Sequence, residues 1–170
     1  MPAMRAPARV WYLEMSAAGE LRPAAAPVGV AVTRAEVPVG ALNRFFYVEV
    51  GRGHHWVDHL DRSAAAWQAH AERVETWLAG VRGTPAGYAE LARSPDGAVD
   101  VAYFGVLAPF RGHGVGGHLL TEVVRRAWDM GARRVTLNTC ELDGPGALDN
   151  YRARGFSVVR ETVEERGREE

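Results

Sequence analysis

Residues 99–120 read V-D-V-A-Y-F-G-V-L-A-P-F-R-G-H-G-V-G-G-H-L-L. Residues 99 to 107 have the apolar, β-branched and aromatic composition of a strand. From Val115 onward Leu119, Leu120, Val123, Val124 and Ala127 recur at helical spacing, and Gly131 closes the run. Gly112, Gly114, Gly116 and Gly117 crowd the join, directly after Arg111. Residues without Cβ atoms let successive amides turn toward one anion, and the start of a helix adds partial positive charge there. The stretch is therefore expected to be a strand, a glycine turn and a helix, the glycines serving either an anion site or a sharp turn with close helix packing, of which the anion site is the favoured reading.

Upstream, V-E-T-W-L-A-G-V (74–81) and P-A-G-Y-A-E-L-A (85–92) are strand-like and joined by short turn-forming links. Links this short allow only antiparallel neighbours, so residues 74–107 form a meander. Downstream, R-V-T-L-N-T (134–139) is a strand, and strand, helix, strand in succession predicts a right-handed parallel crossover. A short helix over 146–154 and a last strand over 156–163 complete this half, with Glu122 and Arg126 expected to pair on the long helix. Near the start, 10–15 and 29–37 are strands expected to pair with each other at a sheet edge. Residues 40–50 and 63–73 are helices, the second capped by Ser63. The fold class is α/β (α+β): a mixed, mostly antiparallel sheet flanked by helices, with one parallel crossover. The expected division is one domain over 1–170, with N-terminal strands at 1–37, a helical region at 38–73, a core at 74–163 and a frayed charged tail at 164–170.

Gly112, Gly114 and Gly117 also fit G-x-G-x-x-G, a dinucleotide fingerprint. That fingerprint belongs after the first strand of a parallel series. Here antiparallel strands precede it and too little chain follows, which argues against NAD and leaves another phosphate-bearing ligand.

L-A-P-F-R-G-H-G-V-G-G-H-L-L resembles the acyl-coenzyme A motif of the GNAT acetyltransferase superfamily, with Arg111, Gly114 and Gly116 in its defining places. Ala147, Tyr151, Gly155 and Phe156 match a second signature of that family at the family's spacing. The resemblance covers 74–163 and implies acetyl-CoA as cosubstrate. It places the pyrophosphate on the amides of Gly112, His113, Gly114, Val115, Gly116 and Gly117, and the pantetheine arm on Phe104, Gly105 and Val106. It further implies that the Val106 N–H stabilises the oxyanion and that Tyr151 is the general acid. Gly105 is suited to a bulge in the coenzyme strand. Gly144 and Asn150 depart from the family pattern, the first removing a side-chain contact to the coenzyme.

For the general base, Asp100 lies eleven residues before Arg111, and simple alternation puts it on one face with Ala102 and Phe104, where burial would raise its pKa. Glu90, alternating with Tyr88 and Ala92, is a reserve candidate, and Thr139 cannot titrate. Phe45, Phe46, His55 and Trp56 are candidates for the acceptor pocket, as are His54 and His59. His55, Asp58 and His59 share a helical spacing but lack a metal motif, and no metal is expected.

The formal charge of -1 lacks the basic excess of a nucleic-acid binder. The start M-P-A-M-R-A-P-A-R-V has no apolar signal core and no stretch is long enough to span a membrane, so a cytoplasmic setting is expected. The single Cys140 sits in no pattern suggesting an acyl-enzyme, so transfer to the amine should be direct. The acceptor expected is a small-molecule primary amine and the protein a monomer or homodimer; a protein amine, or a non-catalytic acyl-CoA-binding module, are the alternatives.

Overall fold

The computed structural model describes residues 4–169. Its strands are β1 (Met4–Met15), β2 (Val30–Ala35), β3 (Glu75–Val81), β4 (Thr84–Arg93), β5 (Ala98–Val106), β6 (Arg134–Cys140) and β7 (Ser157–Arg168). They form one sheet in the order β2-β3-β4-β5-β6-β1-β7, in which only β5 and β6 are parallel. The meander β3-β4-β5 follows from its tight turns. The helices are α1 (Gly40–Gly51), α2 (Ala64–Arg73), α3 (Val115–Asp129) and α4 (Ala147–Ala153).

The crossover helix is α3, and its apolar stripe decides which face it covers. Leu119, Leu120, Val123 and Val124 are fully buried and pack into one core cluster with Leu91, Val101, Val135 and Leu137 of the sheet. Each such side chain contributes about 1.5–3 kcal/mol of burial. On the opposite face, α2 starts where the Ser63 hydroxyl accepts the Ala66 N–H at 3.1 Å, and α1 lays Phe46 flat on Tyr88 with ring centroids 5.0 Å apart.

Several local expectations give way to tertiary pairing. β1 and β2 do not pair: β1 lies between β6 and β7, and β2 pairs with β3 at the far edge. Val10, Leu13 and Met15 are fully buried, as suits a strand inside the sheet and not at its edge. The expected Glu122–Arg126 pair is absent, because Arg126 makes a two-pronged bond to Glu75 of β3 at 2.9 and 2.7 Å and Glu122 bonds Arg125 instead. A forked carboxylate contact fits the guanidinium better than a helical neighbour can. Residues 164–168, expected to fray, continue β7 because β1 extends to Met4 and supplies a partner as far as Arg168.

β5 is bulged at Ala102: Leu91 pairs with Val101 while Glu90 pairs with Tyr103. The extra residue reverses the face of everything after it. Asp100 therefore shares a face with Tyr103 on the side of α1 and α2, not with Phe104, which packs into the α3 side. Gly105 is not the bulge. A Cβ there would stand 2.1 Å from Val50 Cγ1, so its absence lets α1 lie close to the sheet.

Gly105→Ala should destabilise the protein by about 1–3 kcal/mol through overpacking. In urea unfolding, combining it with Val50→Ala should cost less than the sum of the two single changes; strict additivity would show that the contact is not the constraint.

Candidate active site

β5 and β6 are paired only at Ala98–Arg134, Val99–Val135 and Asp100–Thr136. Beyond Thr136, β6 continues alongside β1 while β5 stays with β4, so the two part company. A cavity of about 330 Å³ occupies the gap. Its walls include Val101 to Val106 of β5, Asn138 and Cys140 of β6, Tyr151 of α4, and residues 54–56, 58 and 59 from the connection between α1 and α2.

The backbone of β5 is oriented by its other neighbour. The Leu107 N–H donates to Ala86 O at 2.7 Å, toward β4. Successive amides of an extended strand point to opposite sides, so the Val106 N–H faces the gap. Beside it, Gly114 enters α3 with φ +80°, a left-handed conformation that disfavours side chains, and caps the helix with no side chain. The first-turn N–H groups of α3 thus have no helical partner and suit an anion. Gly112 to Gly117 stand outside the cavity walls, whose nearest members are Val106 and Arg111. Arg111 Nε donates to Val106 O at 2.9 Å and Nη2 to Val50 O at 3.3 Å, bracing the end of α1 against the end of β5. His113 is exposed and Val115 is buried.

Tyr151 is buried at the gap, edge-on to Phe104 with centroids 6.0 Å apart. Burial first, and the charge of Asp143 second, raise its pKa well above that of a free phenol. It is a protonated hydroxyl available to donate.

The connection between α1 and α2 closes the other side. Trp56 Nε1 donates to Asp143 Oδ1 at 3.1 Å, while Asp143 Oδ2 accepts from Thr139 Oγ1 at 2.7 Å and from the Cys140 N–H at 2.9 Å. The Glu169 N–H donates to His55 Nδ1 at 2.9 Å, and Asp58 meets Arg5 at 3.3 Å. Tyr47, Trp56 and Tyr103 touch one another with centroids 5.4–5.7 Å apart and form an aromatic wall. Burial pushes the Tyr47 hydroxyl up to about 12. Burial, followed by Arg111 for His54 and Arg62 for His59, lowers both imidazoles, so they are neutral at pH 7.

His55, Trp56 and Tyr151 thus meet Phe104, Gly105, Val106 and Arg111 around one cavity. Phe46 lies beneath it, fully buried, and Phe45 is half-exposed; neither lines it. Asp100 is also outside its walls, accepting from Thr136 Oγ1 at 2.8 Å. Tyr47, Tyr103, Asn138 and Asp143 were not singled out from the sequence. Tyr103 could have been found only by anticipating the bulge, and the others sit in elements whose partners local spacing does not show.

Residues 39–156 match the model of the acetyltransferase (GNAT) family. The chain belongs to that family. Among solved structures it resembles a GCN5-related N-acetyltransferase from Sphaerobacter thermophilus at 21% identity and TM-score 0.71, covering 99% of this chain and 52% of that one. It also resembles a GCN5-related N-acetyltransferase from Kribbella flavida, at 19% identity and TM-score 0.69, covering 96% and 60%. A tandem GNAT protein from the clavulanic acid biosynthesis pathway is similar at 18% identity and TM-score 0.59, covering 99% and 56%. The chain therefore spans between half and three fifths of those structures, and at these identities the likeness is one of fold. No curated protein matches it.

Burial raises the Asp100 pKa, partly offset by the Thr136 bond. Between its ordinary and its raised value the folded state binds more protons than the unfolded one, so ionisation of Asp100 lowers stability as pH rises. Asp100→Asn, whose carbonyl can still accept from Thr136, should be more stable than wild type at pH 7, with the gain shrinking toward pH 3. Denaturant unfolding at both pH values checks this; a gain independent of pH contradicts it.

Proposed function

We propose that the protein transfers an acetyl group from acetyl-CoA directly to a primary amine of a small molecule. The observation that carries this is the parting of β5 and β6 beside an uncapped glycine turn, with Tyr151 at the gap. Bound there, acetyl-CoA would supply an activated acyl group. The first-turn amides of α3 from Val115 to Gly117, with Gly112, His113 and Gly114 before them, would take the pyrophosphate. The gap-facing backbone of Phe104 to Val106 would take the pantetheine arm, leaving the Val106 N–H to stabilise charge developing on the thioester oxygen. Tyr151 would protonate the departing thiolate, a role suited to a hydroxyl that burial keeps protonated. Asp100, outside the cavity walls, can act as base only through intervening water.

The small acceptor is supported by the size of the cavity, which has to hold the acyl end of the coenzyme as well, and by the cover formed by Trp56 and Asp143. Neutral His54 and His59 leave an incoming ammonium unrepelled. His55 and Trp56 would line the acceptor path, with Phe46 supporting it from below.

Thiol release from acetyl-CoA across a panel of amines tests the reaction. Tyr151→Phe should lower kcat by about 100-fold or more while leaving the Kd for coenzyme A within about twofold. Gly114→Val, which forces a branched side chain into a left-handed backbone, should weaken coenzyme A by about tenfold or more in calorimetry, roughly 1.4 kcal/mol. Coenzyme binding without thiol release for any amine would indicate a non-catalytic module; unchanged binding in Gly114→Val would remove the glycine turn from the site.

A further inference from the structure

Glu90 is 1% exposed, and among the described residues no other acidic side chain is buried. Its Oε1 accepts from Asn43 Nδ2 at 2.7 Å, and its Oε2 lies 2.6 Å from His70 Nε2. Asn43 Nδ2 also reaches Thr76 Oγ1 at 2.8 Å. These bonds tie α1, α2 and β3 to β4, and a purely structural staple would explain them. Two features go further. The partner of this buried carboxylate is an imidazole, not one of the chain's arginines, and an imidazole has a second ring nitrogen that can accept as well as donate. The pair also stands directly behind the cavity wall: Tyr103 is Glu90's cross-strand partner, lines the cavity, and sits edge-on to His70 with centroids 6.3 Å apart.

We propose that the His70–Glu90 pair takes up, through the Tyr103 hydroxyl, the proton that the acceptor ammonium must lose before it attacks. The proposal rests on the acetyl-transfer function above. In the step, the ammonium N–H bond breaks and its electron pair stays on nitrogen. Tyr103 Oη receives that proton as it passes its own to His70 Nδ1, leaving an imidazolium whose Nε2–H donates to Glu90 Oε2. One proton moves and nothing is oxidised or reduced. The side chain of His70 is 14% exposed, so the proton can then leave to solvent at its outer edge.

Other groups facing the pair leave it this task. Asn43 from α1 and Thr76 from β3 hold it but do not titrate. Tyr47 of α1 and Tyr88 of β4 are kept protonated by burial, and the Tyr88 hydroxyl is fully buried with no hydrogen-bond partner. Trp67 of α2 flanks His70 edge-on. His59, on the far side of Tyr103, has a lowered pKa and is a weak base, and Arg62 beyond it is stacked on Trp67. The Tyr103 hydroxyl is itself raised, first by burial, which suits a group that exchanges protons without ionising. Asp58 is engaged by Arg5.

The test is the pH dependence of thiol release, from pH 6 to 10, for wild type, His70→Gln and Tyr103→Phe, using acetyl-CoA and the amine of the panel that wild type acetylates fastest. Gln can still donate to Glu90 but cannot carry the extra proton, and Phe keeps the ring without the hydroxyl. Both variants should lose about tenfold or more in kcat/KM for the amine at pH 7, the scale of acid–base assistance. The deficit should shrink as pH approaches the amine's own pKa, where the free base arrives without help. Coenzyme A binding and thermal unfolding should change little. Glu90→Gln, where it folds, should behave like His70→Gln. Profiles parallel to wild type in both variants, however slow, would mean a structural staple and overturn the relay alone. A wild type that acetylates no amine would defeat the acetyl-transfer function itself and the relay with it.

Discussion

The constraint on which the rest depends is that β5 and β6 can pair for only three residues. β5 is committed to β4 along the meander, and β6 to β1, so the two diverge once their separate partners draw them apart. Divergence leaves backbone donors and acceptors on the inner edges of both strands without a ladder. Such groups are costly to bury unpaired, and here they border the cavity. β5 runs on beyond that last pair to Val106, and the chain then turns out of the sheet through the glycine segment before α3 begins at Val115.

Around the gap, the two faces of the sheet do different work. The α3 face is a dry apolar core that fixes the angle of the helix and of its first turn. The α1 and α2 face is mixed: aromatic rings, two neutral imidazoles and a buried carboxylate lie within a few side chains of the cavity. Two carboxylates on this face are each held from more than one element. Glu90 draws on α1 and α2 together, and Asp143 on Trp56 and two groups near the end of β6. Losing one partner would expose the others to an unsatisfied charge, which makes the wall rigid.

Much of the fold was legible because its signals are local. The spacing of Leu119, Leu120, Val123 and Val124 declares a helix and its buried face, short links declare a meander, and the order strand, helix, strand declares a parallel crossover. The glycine turn and Tyr151 were legible because motif and element coincide there. The partners of β1 and β2, the fork from Arg126 to Glu75 and the extension of β7 were not, since each is settled by a residue distant in sequence. Alternation failed along β5 for a subtler reason. One extra residue at Ala102 inverts the face of Tyr103 and Phe104, and nothing in V-D-V-A-Y-F-G-V marks which residue is the extra one.

By itself the sequence determined the type and order of the central elements, the glycine turn and the tyrosine helix, because period, turn chemistry and chain order are properties of neighbouring residues. Only the tertiary structure decided that Tyr47, Trp56 and Tyr103 form one wall, that Asp100 lies outside the cavity, and that His70 reaches Glu90. Those contacts join separate elements, and their geometry exists only once the sheet, its bulge and the helices on both faces are packed together.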